Sequence, residues 1–309
     1  MSKQQLKTNI LMGTTIGLLV LVFALSAIIW LNYDYLFFKY FISNDYIFTE
    51  TLDKVFEDNI GIDIQKNSDY PKYFDNLAIE LISNEISKTG NDPYTYQYTP
   101  SQYESYLENR SDKANRTRIE ILNEETALFR FTNFSDESLD IFRSYIDQLK
   151  NFKNIIIDLR DNTGGDLDVS FKLASYFLKN NDIVYKIQYR KTKEIARLKT
   201  DGELDFENII IMQNNYSASA SEIFINALKE NLDNITTVGT KTYGKGIGQT
   251  TYGIKNRYYI KATTFLVLTP NENSIHKTGI TPDYEYTDDP TIIEYCLSIL
   301  SGFIPLSNQ

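Results

Sequence analysis

Cysteine is all but missing from this sequence: a single thiol, Cys296, stands among 309 residues. A lone cysteine excludes any intramolecular disulfide, so cross-links do not hold this fold together. It also excludes cysteine-ligated zinc, and one histidine, His276, leaves no imidazole cluster for a metal. Positive charge is scarce as well. Thirty-one Lys and Arg against 41 Asp and Glu give a net charge of −10, which leaves no basic face to neutralise a run of phosphates. Nucleic acid is excluded as a partner on that ground. Internal repeats and low-complexity tracts are lacking too. What the chain does have is apolar mass: 42% hydrophobic and 14% aromatic residues suffice for a substantial core, in one large domain or two modest ones.

The clearest compositional signal is N-terminal. Residues Ile10 to Leu31 carry no charge, and 22 helical residues at about 1.5 Å each would cross a hydrocarbon layer of roughly 30 Å. Lys3 and Lys7 precede the run, while Asp34, Lys39 and Asp45 follow it, an asymmetry that favours an N-inside orientation. The competing reading is a cleaved signal peptide, with Ala24-Leu25-Ser26-Ala27 as the small-residue site. Ile28-Ile29-Trp30-Leu31 prolongs the apolar run beyond that site, which favours an uncleaved, single-pass anchor. Either way, residues beyond Asn32 are expected outside the cytoplasm.

Residues 1–9 are thus expected to be cytoplasmic, 10–31 transmembrane, 32–107 a small helical region, 108–117 a polar linker and 118–309 the main domain. Helical spacing recurs over Thr51–Phe56 and Tyr73–Ile82, and Pro100 is placed to open a short helix. From Arg118 onward, strands alternate with helices. Ile119–Ile121, Ala127–Phe131, Asn154–Leu159 and Ile209–Met212 read as strands. Asp136–Leu149 reads as an amphipathic helix capped by Ser135, and Thr291–Leu300 as a last helix. The pattern predicts an α/β fold in which helices flank a mixed sheet.

Three segments carry chemistry. In Tyr216-Ser217-Ala218-Ser219-Ala220-Ser221-Glu222, a buried strand gives way to small residues and then a helix. A hydroxyl there sits at a helix N-terminus, whose free N–H groups favour a developing oxyanion. Taken alone, serine capping with Glu222 in a capping box explains the same residues. In Thr242-Tyr243-Gly244-Lys245-Gly246-Ile247-Gly248-Gln249, a lysine lies between glycines. Gly239–Lys245 also matches the start of a phosphate-binding loop, but Gly246 replaces the magnesium-binding Ser or Thr and strands follow where a helix should. In Asp158-Leu159-Arg160-Asp161-Asn162-Thr163-Gly164-Gly165-Asp166, paired glycines after a buried strand let backbone N–H groups approach an anion. The acidic residues Asp161, Asp166 and Asp168 miss the spacing of a calcium loop. No cofactor or metal is expected.

Together these segments resemble the C-terminal processing (tail-specific) peptidases, a serine-peptidase family. Its LR-N-GG turn, SASASE segment and GKG segment with a glutamine four residues past the lysine occur here in order, with Lys245 26 residues after Ser219. Asp92-Pro93-Tyr94 and Gly279-Ile280-Thr281-Pro282-Asp283 resemble two further family segments, so the likeness spans roughly residues 40–105 and 116–286. It implies a crotonase/ClpP-like spiral core. Ser219 corresponds to the nucleophile, Lys245 to the general base and Gln249 to the residue orienting the lysine. The Ala220 N–H and one N–H of Gly164-Gly165 correspond to the oxyanion hole. Lysine can act as base only when neutral, and its ordinary pKa of about 10.4 must fall for that role. A Ser-His-Asp arrangement would have to use His276, beside the Gly279–Asp283 segment, where a turn role fits better.

The chain departs from the family pattern at one place. Most members insert a PDZ domain between the DPY segment and the first catalytic strands, and here about ten residues, Glu108–Thr117, fill that interval. Substrate access through the N-terminal helical region, or substrates already held at the membrane, is therefore expected. The resulting expectation is a membrane-anchored serine endopeptidase acting on extracytoplasmic proteins or peptides. The alternatives are a catalytically silent membrane-tethered peptide-binding module of the same fold and, less compatible with a Ser-Lys pair, a crotonase-like acyl-CoA enzyme.

Overall fold

The computed structural model describes residues 3–48, 50–51, 74–90, 92–114 and 116–302. Of the helical segment expected at Thr51–Phe56, all but Thr51 lies outside these residues, as do Tyr73 and the C-terminal residues 303–309. The chain begins with helices α1 (Lys3–Leu31), α2 (Tyr33–Phe37), a π-helical turn (Phe38–Ile42) and α3 (Ser43–Asp45). There follow α4 (Phe74–Gly90), β1 (Tyr96–Tyr98), α5 (Pro100–Ala114), β2 (Arg118–Ile121) and β3 (Thr126–Arg130). Next come α6 (Asp136–Ser144), α7 (Ile146–Leu149), β4 (Asn154–Asp158), α8 (Leu167–Ala174), β5 (Ile183–Tyr189) and β6 (Lys193–Arg197). The last elements are β7 (Asn208–Gln213), α9 (Ala220–Asn231), β8 (Ile235–Gly239), β9 (Ile247–Gly253), β10 (Tyr259–Leu268), β11 (Tyr284–Glu285) and α10 (Ile292–Leu300).

Two compact units result, one formed by residues 1–100 with 249–263, the other by 101–248 with 264–309. In the first, Phe38 and Ile42 from the turn after α2, and Tyr46 just past α3, pack with Ile79, Ile82 and Ile86 of α4 and Ile260 and Ala262 of β10. The α4 triad recurs at intervals of three and four, which puts its apolar side chains on one helix face. β1 pairs antiparallel with Tyr259–Lys261. Asp92 is buried beneath this layer and accepts hydrogen bonds from Tyr46 Oη (2.7 Å), Thr95 Oγ1 (2.8 Å) and Tyr94 N (3.1 Å). Burial, then the Asp92 charge, pushes the Tyr46 hydroxyl well above the ordinary phenol range, so it stays a donor. α1 is separate in character: Leu11–Leu31 is a 21-residue stretch long and apolar enough to cross a membrane, with none of it buried in the protein.

The second unit is built on a six-stranded mixed sheet in the order β11-β8-β7-β4-β3-β2, parallel except for the β2–β3 hairpin. Its central strands are buried on both faces, as their unbroken isoleucine runs predict. Ile155, Ile157, Ile209 and Ile211 face a core shared with Leu139 and Phe142 of α6, Val169 and Leu173 of α8, and Ile223 and Phe224 of α9. Ile156, Ile210 and Met212 point the other way, onto Ile292, Tyr295 and Cys296 of α10. This is the expected α/β fold.

Two local expectations differ. α5 runs on to Ala114 through most of the residues read as a linker, because its Glu, Arg, Lys and Ala are sound helix formers despite lacking an apolar stripe. The Asp136–Leu149 helix breaks at Tyr145, whose φ and ψ (−108°, 0°) leave the helical region and split it into α6 and α7. Its start is as expected, with Ser135 Oγ accepting from Ser138 N (3.3 Å).

Candidate active site

Parallel neighbours in a sheet end on the same edge, and β4, β7 and β8 are neighbours. The three chemistry-bearing segments are the loops that leave the C-terminal ends of these strands: residues 159–166 after β4, 214–219 after β7 and 240–246 after β8. Clefts form at such an edge in α/β sheets.

The first loop is fixed by charge and by amide side chains. Asp158 and Arg160 form a buried two-point pair, Nε to Oδ1 and Nη2 to Oδ2 at 2.9 Å each. Asp161 takes a left-handed φ of 62°, its N–H donating to Asn214 Oδ1 (3.0 Å) and its carboxylate accepting from Asn214 Nδ2 (2.9 Å). Asn162 is fully buried. Its Nδ2 donates to the Phe131 carbonyl (2.6 Å) and its Oδ1 accepts from Gly164 N (2.9 Å). Gly164 and Gly165 follow at φ 96° and 153°. A Cβ on Gly164 would lie 2.6 Å from the Ala218 carbonyl oxygen and 2.9 Å from Ala220 N, and one on Gly165 2.2 Å from the Phe134 carbonyl oxygen. Only glycine lets the first loop press against the second this closely.

In the second loop the three serines separate by role. Ser217 and Ser221 are fully buried, and their hydroxyls donate to the carbonyls of Leu159 and Asn162 (both 2.8 Å), fastening this loop to the first. Ser219 is half-buried and stands at the N-cap of α9 with φ 57° and ψ −116°. A non-glycine residue there is strained by about 1–3 kcal/mol, a cost that persists only where the surroundings impose it. Gly164 N already donates to Asn162. The N–H groups of Gly165 and Ala220 meet no acceptor among the described residues.

The third loop carries Lys245, half-buried, and is tied to the second through one carboxylate. Glu222 is fully buried. Its Oε2 accepts from Ser219 N (2.9 Å) and Lys245 N (2.8 Å), and its Oε1 from Thr242 Oγ1 (2.6 Å) and Gly244 N (2.7 Å). All four donors are neutral, and the two Oε2 distances put the Ser219 and Lys245 nitrogens no more than 5.7 Å apart. The loop is held from beyond by Ile280 N donating to Thr242 Oγ1 (2.7 Å) and Lys277 N to the Gly244 carbonyl (2.8 Å). A Cβ on Gly246 would come within 2.6 Å of His276 N, so the histidine's backbone, in a turn, packs beside the lysine loop.

Ser219, Ala220, Gly164, Gly165 and Lys245 thus gather at one edge of one sheet. Gln249 falls in the other compact unit, in β9, where its amide Nε2 donates to the Tyr94 carbonyl of the DPY segment. The sequence gives Glu222 only a capping-box role, and that box is present, with its carboxylate accepting from Ser219 N. Its grip on the lysine loop was signalled only by a carboxylate in the first turn of an apolar helix, next to Ile223 and Phe224.

The family model for peptidase family S41 matches residues 125–286, just over half of the chain and all three loops. The chain belongs to peptidase family S41. Over 133 residues it is 38% identical to a "Probable CtpA-like serine protease" of Staphylococcus saprophyticus and 40% identical to the protein so named in Staphylococcus aureus. Each match covers 42% of this S41 chain and 27% of the relative, so the match spans little more than a quarter of those curated proteins. A solved lipoprotein from Streptococcus agalactiae shares the fold, with a TM-score of 0.58 at 21% identity over 73% of this chain and 82% of that one.

Proposed function

We propose that this chain is a serine endopeptidase anchored in a membrane by α1, with its catalytic unit on the extracytoplasmic side. Family membership supports peptidase chemistry, and the shared Glu222 carboxylate, which ties Ser219 to Lys245, is the observation that carries the assignment. The Ser219 hydroxyl attacks the scissile carbonyl carbon while neutral Lys245 takes its proton. The carbonyl oxygen, now negative, is met by the N–H groups of Ala220 and Gly165, at the start of α9 and in the glycine turn. Collapse of the tetrahedral species breaks the C–N bond, and Lys245 returns the proton to the leaving amine. Water, deprotonated by the same lysine, then hydrolyses the acyl-serine ester.

The anchor is supported by length, charge and continuity. The 21-residue uncharged stretch at about 1.5 Å per residue reaches roughly 31 Å, with Lys3 and Lys7 before it. Beyond Leu31 a single residue separates α1 from α2, and the turn after α2 enters the first unit's core at Phe38 and Ile42. Cleavage at Ala27 would leave Ile28–Leu31 as an exposed apolar stub on that core. With only the interval between α5 and β2 available for an inserted domain, substrates are captured by the chain's own helical region or delivered along the membrane.

The test is active-site labelling of the full chain in detergent micelles with a fluorophosphonate, alongside Ser219→Ala, Lys245→Ala and His276→Gln. The expected adduct maps to Ser219, vanishes in the first two variants and persists in the third. A folded chain that takes no label at Ser219 would point instead to a silent peptide-binding module. Loss of label in His276→Gln alone would move the base from lysine to histidine.

A further inference from the structure

Lys255 and Arg257 form the three-residue turn, Lys255–Arg257, that joins β9 to β10, closed by Ile254 N donating to the Tyr258 carbonyl (2.9 Å). In a chain with ten more negative than positive charges this tip is a local concentration of cations. It is docked on the end of the apolar helix. Lys255 Nζ donates to the Trp30 carbonyl and lies 4.9 Å from the Trp30 ring centroid and 5.4 Å from that of Tyr33. The Lys255 backbone N–H is held by both oxygens of buried Asp34 (3.2 Å each), so the turn cannot drift from the helix without leaving a buried carboxylate short of donors. Arg257 is exposed and left-handed, φ 63°, where glycine or asparagine would rest more easily.

We propose that Lys255 and Arg257, with Trp30 and Tyr33, form a binding site for an anionic phospholipid headgroup in the leaflet where α1 ends; this rests on α1 being a membrane span. The apolar stretch stops at Leu31, so the Trp30 carbonyl marks the depth at which hydrocarbon gives way to headgroups. Trp30 and Tyr33 are both well exposed, and indole and phenol rings settle at that level. An ammonium fixed on a carbonyl of the last helical turn also complements the negative end of the helix. A headgroup phosphate between the tip and the membrane plane meets two cations and an aromatic wall. The −12 net charge of the chain beyond Lys7 would by itself repel an anionic surface, so attraction must come from a local feature such as this.

The chain carries its own reporter, since Trp30 is its only tryptophan. The full chain is reconstituted into phosphatidylcholine vesicles containing equal mole fractions of either acyl-chain-brominated phosphatidylcholine or acyl-chain-brominated phosphatidylglycerol, and Trp30 emission is titrated against each. The expected result is preferential quenching by the glycerol lipid. Its relative association constant should be up to about fivefold higher per basic side chain, falling to about one in Lys255→Gln/Arg257→Gln and shrinking with added salt. Equal quenching in the wild-type chain overturns the headgroup site and leaves the membrane span standing. A preference that survives the double substitution overturns it as well. Absence of quenching by either lipid removes the span itself, and the site with it.

Discussion

At the residue scale, the question is how one buried carboxylate, bonded only to neutral donors, can hold the proposed catalytic pair. Glu222 does so by filling both oxygens with neutral donors, two of them the backbone N–H groups of Ser219 and Lys245. Glu222→Gln removes the charge while keeping the shape. Turned one way, its NH2 faces the Ser219 and Lys245 N–H groups; turned the other, it faces Gly244 N and the Thr242 hydroxyl, which can rotate to accept. In either orientation at least one backbone N–H is left unmet at a cost of about 1–3 kcal/mol, and repulsion there loosens the joint between the Ser219 and Lys245 loops. We expect the Tm of the second unit to fall by several degrees and the rate of fluorophosphonate labelling to fall more than tenfold, read by thermal melting and by timed labelling. Labelling at the wild-type rate would mean the pair is set by something other than this carboxylate. Ser219 and Lys245 were singled out through the resemblance to the peptidase family, because small residues before a helix and a lysine between glycines fit a cap and a turn equally well. Glu222 was not, because an acid in a helix's first turn looks like an ordinary cap. The choice of the middle serine has a visible reason only in three dimensions, where Ser217 and Ser221 spend their hydroxyls on the Leu159 and Asn162 carbonyls.

At the scale of elements, the closing segment Gly279–Asp283 latches the sheet edge. Asp283 accepts from Lys229 Nζ on α9 (2.6 and 2.7 Å) and from Thr237 N and Oγ1 on β8 (2.8 Å each). Burial alone would raise this carboxyl, but the bonds from Lys229 and Thr237 outweigh it and hold it below the ordinary range. A folded-state pKa below the unfolded value of about 3.9 contributes stability that is present above pH 4 and lost as pH falls through the lower folded value. Asp283→Asn should therefore have a lower Tm than the parent at pH 6 to 7. The gap should narrow as the parent is acidified below about pH 4, measured by melting both across pH 3–7. A gap that stays constant with pH would show that the latch works by shape and not by charge. Legibility follows the same physics. β4 and β7 were plain because both faces are buried, while the β5–β6 hairpin gave no turn signal: Tyr189-Arg190-Lys191-Thr192 closes it (Tyr189 N to the Thr192 carbonyl, 2.9 Å) without Gly, Asn, Asp or Pro. α5 was missed in part because a helix with no apolar stripe has no period to detect.

At the scale of the molecule, the sheet of the second unit joins two surfaces that chemistry can read separately. Its strand ends carry Ser219, and one of its faces is covered by α10, where Cys296 packs on Ile210, Met212 and Val238. Burial pushes the Cys296 thiol up to about 12, against a smaller lowering by Arg160 of the first site loop and with a smaller raising by Asp158 at the end of β4. At neutral pH it is therefore both hidden and protonated, doubly protected from an alkylating reagent that attacks the thiolate. Ser219 reactivity depends on loops fastened to the same strands by Asn162, Ser217, Ser221 and Glu222. The two readouts should then belong to one cooperative event. In the full chain titrated with urea, gain of iodoacetamide labelling at Cys296 and loss of fluorophosphonate labelling at Ser219 are expected to share a midpoint. Glu222→Gln should shift the Ser219 curve to lower urea than the Cys296 curve, because it loosens the loops while leaving the sheet and α10 in place. If the two midpoints already differ in the parent chain, the loops open on their own, and the hydrogen bonds around Glu222 are then too weak to join the site to the sheet that bears it.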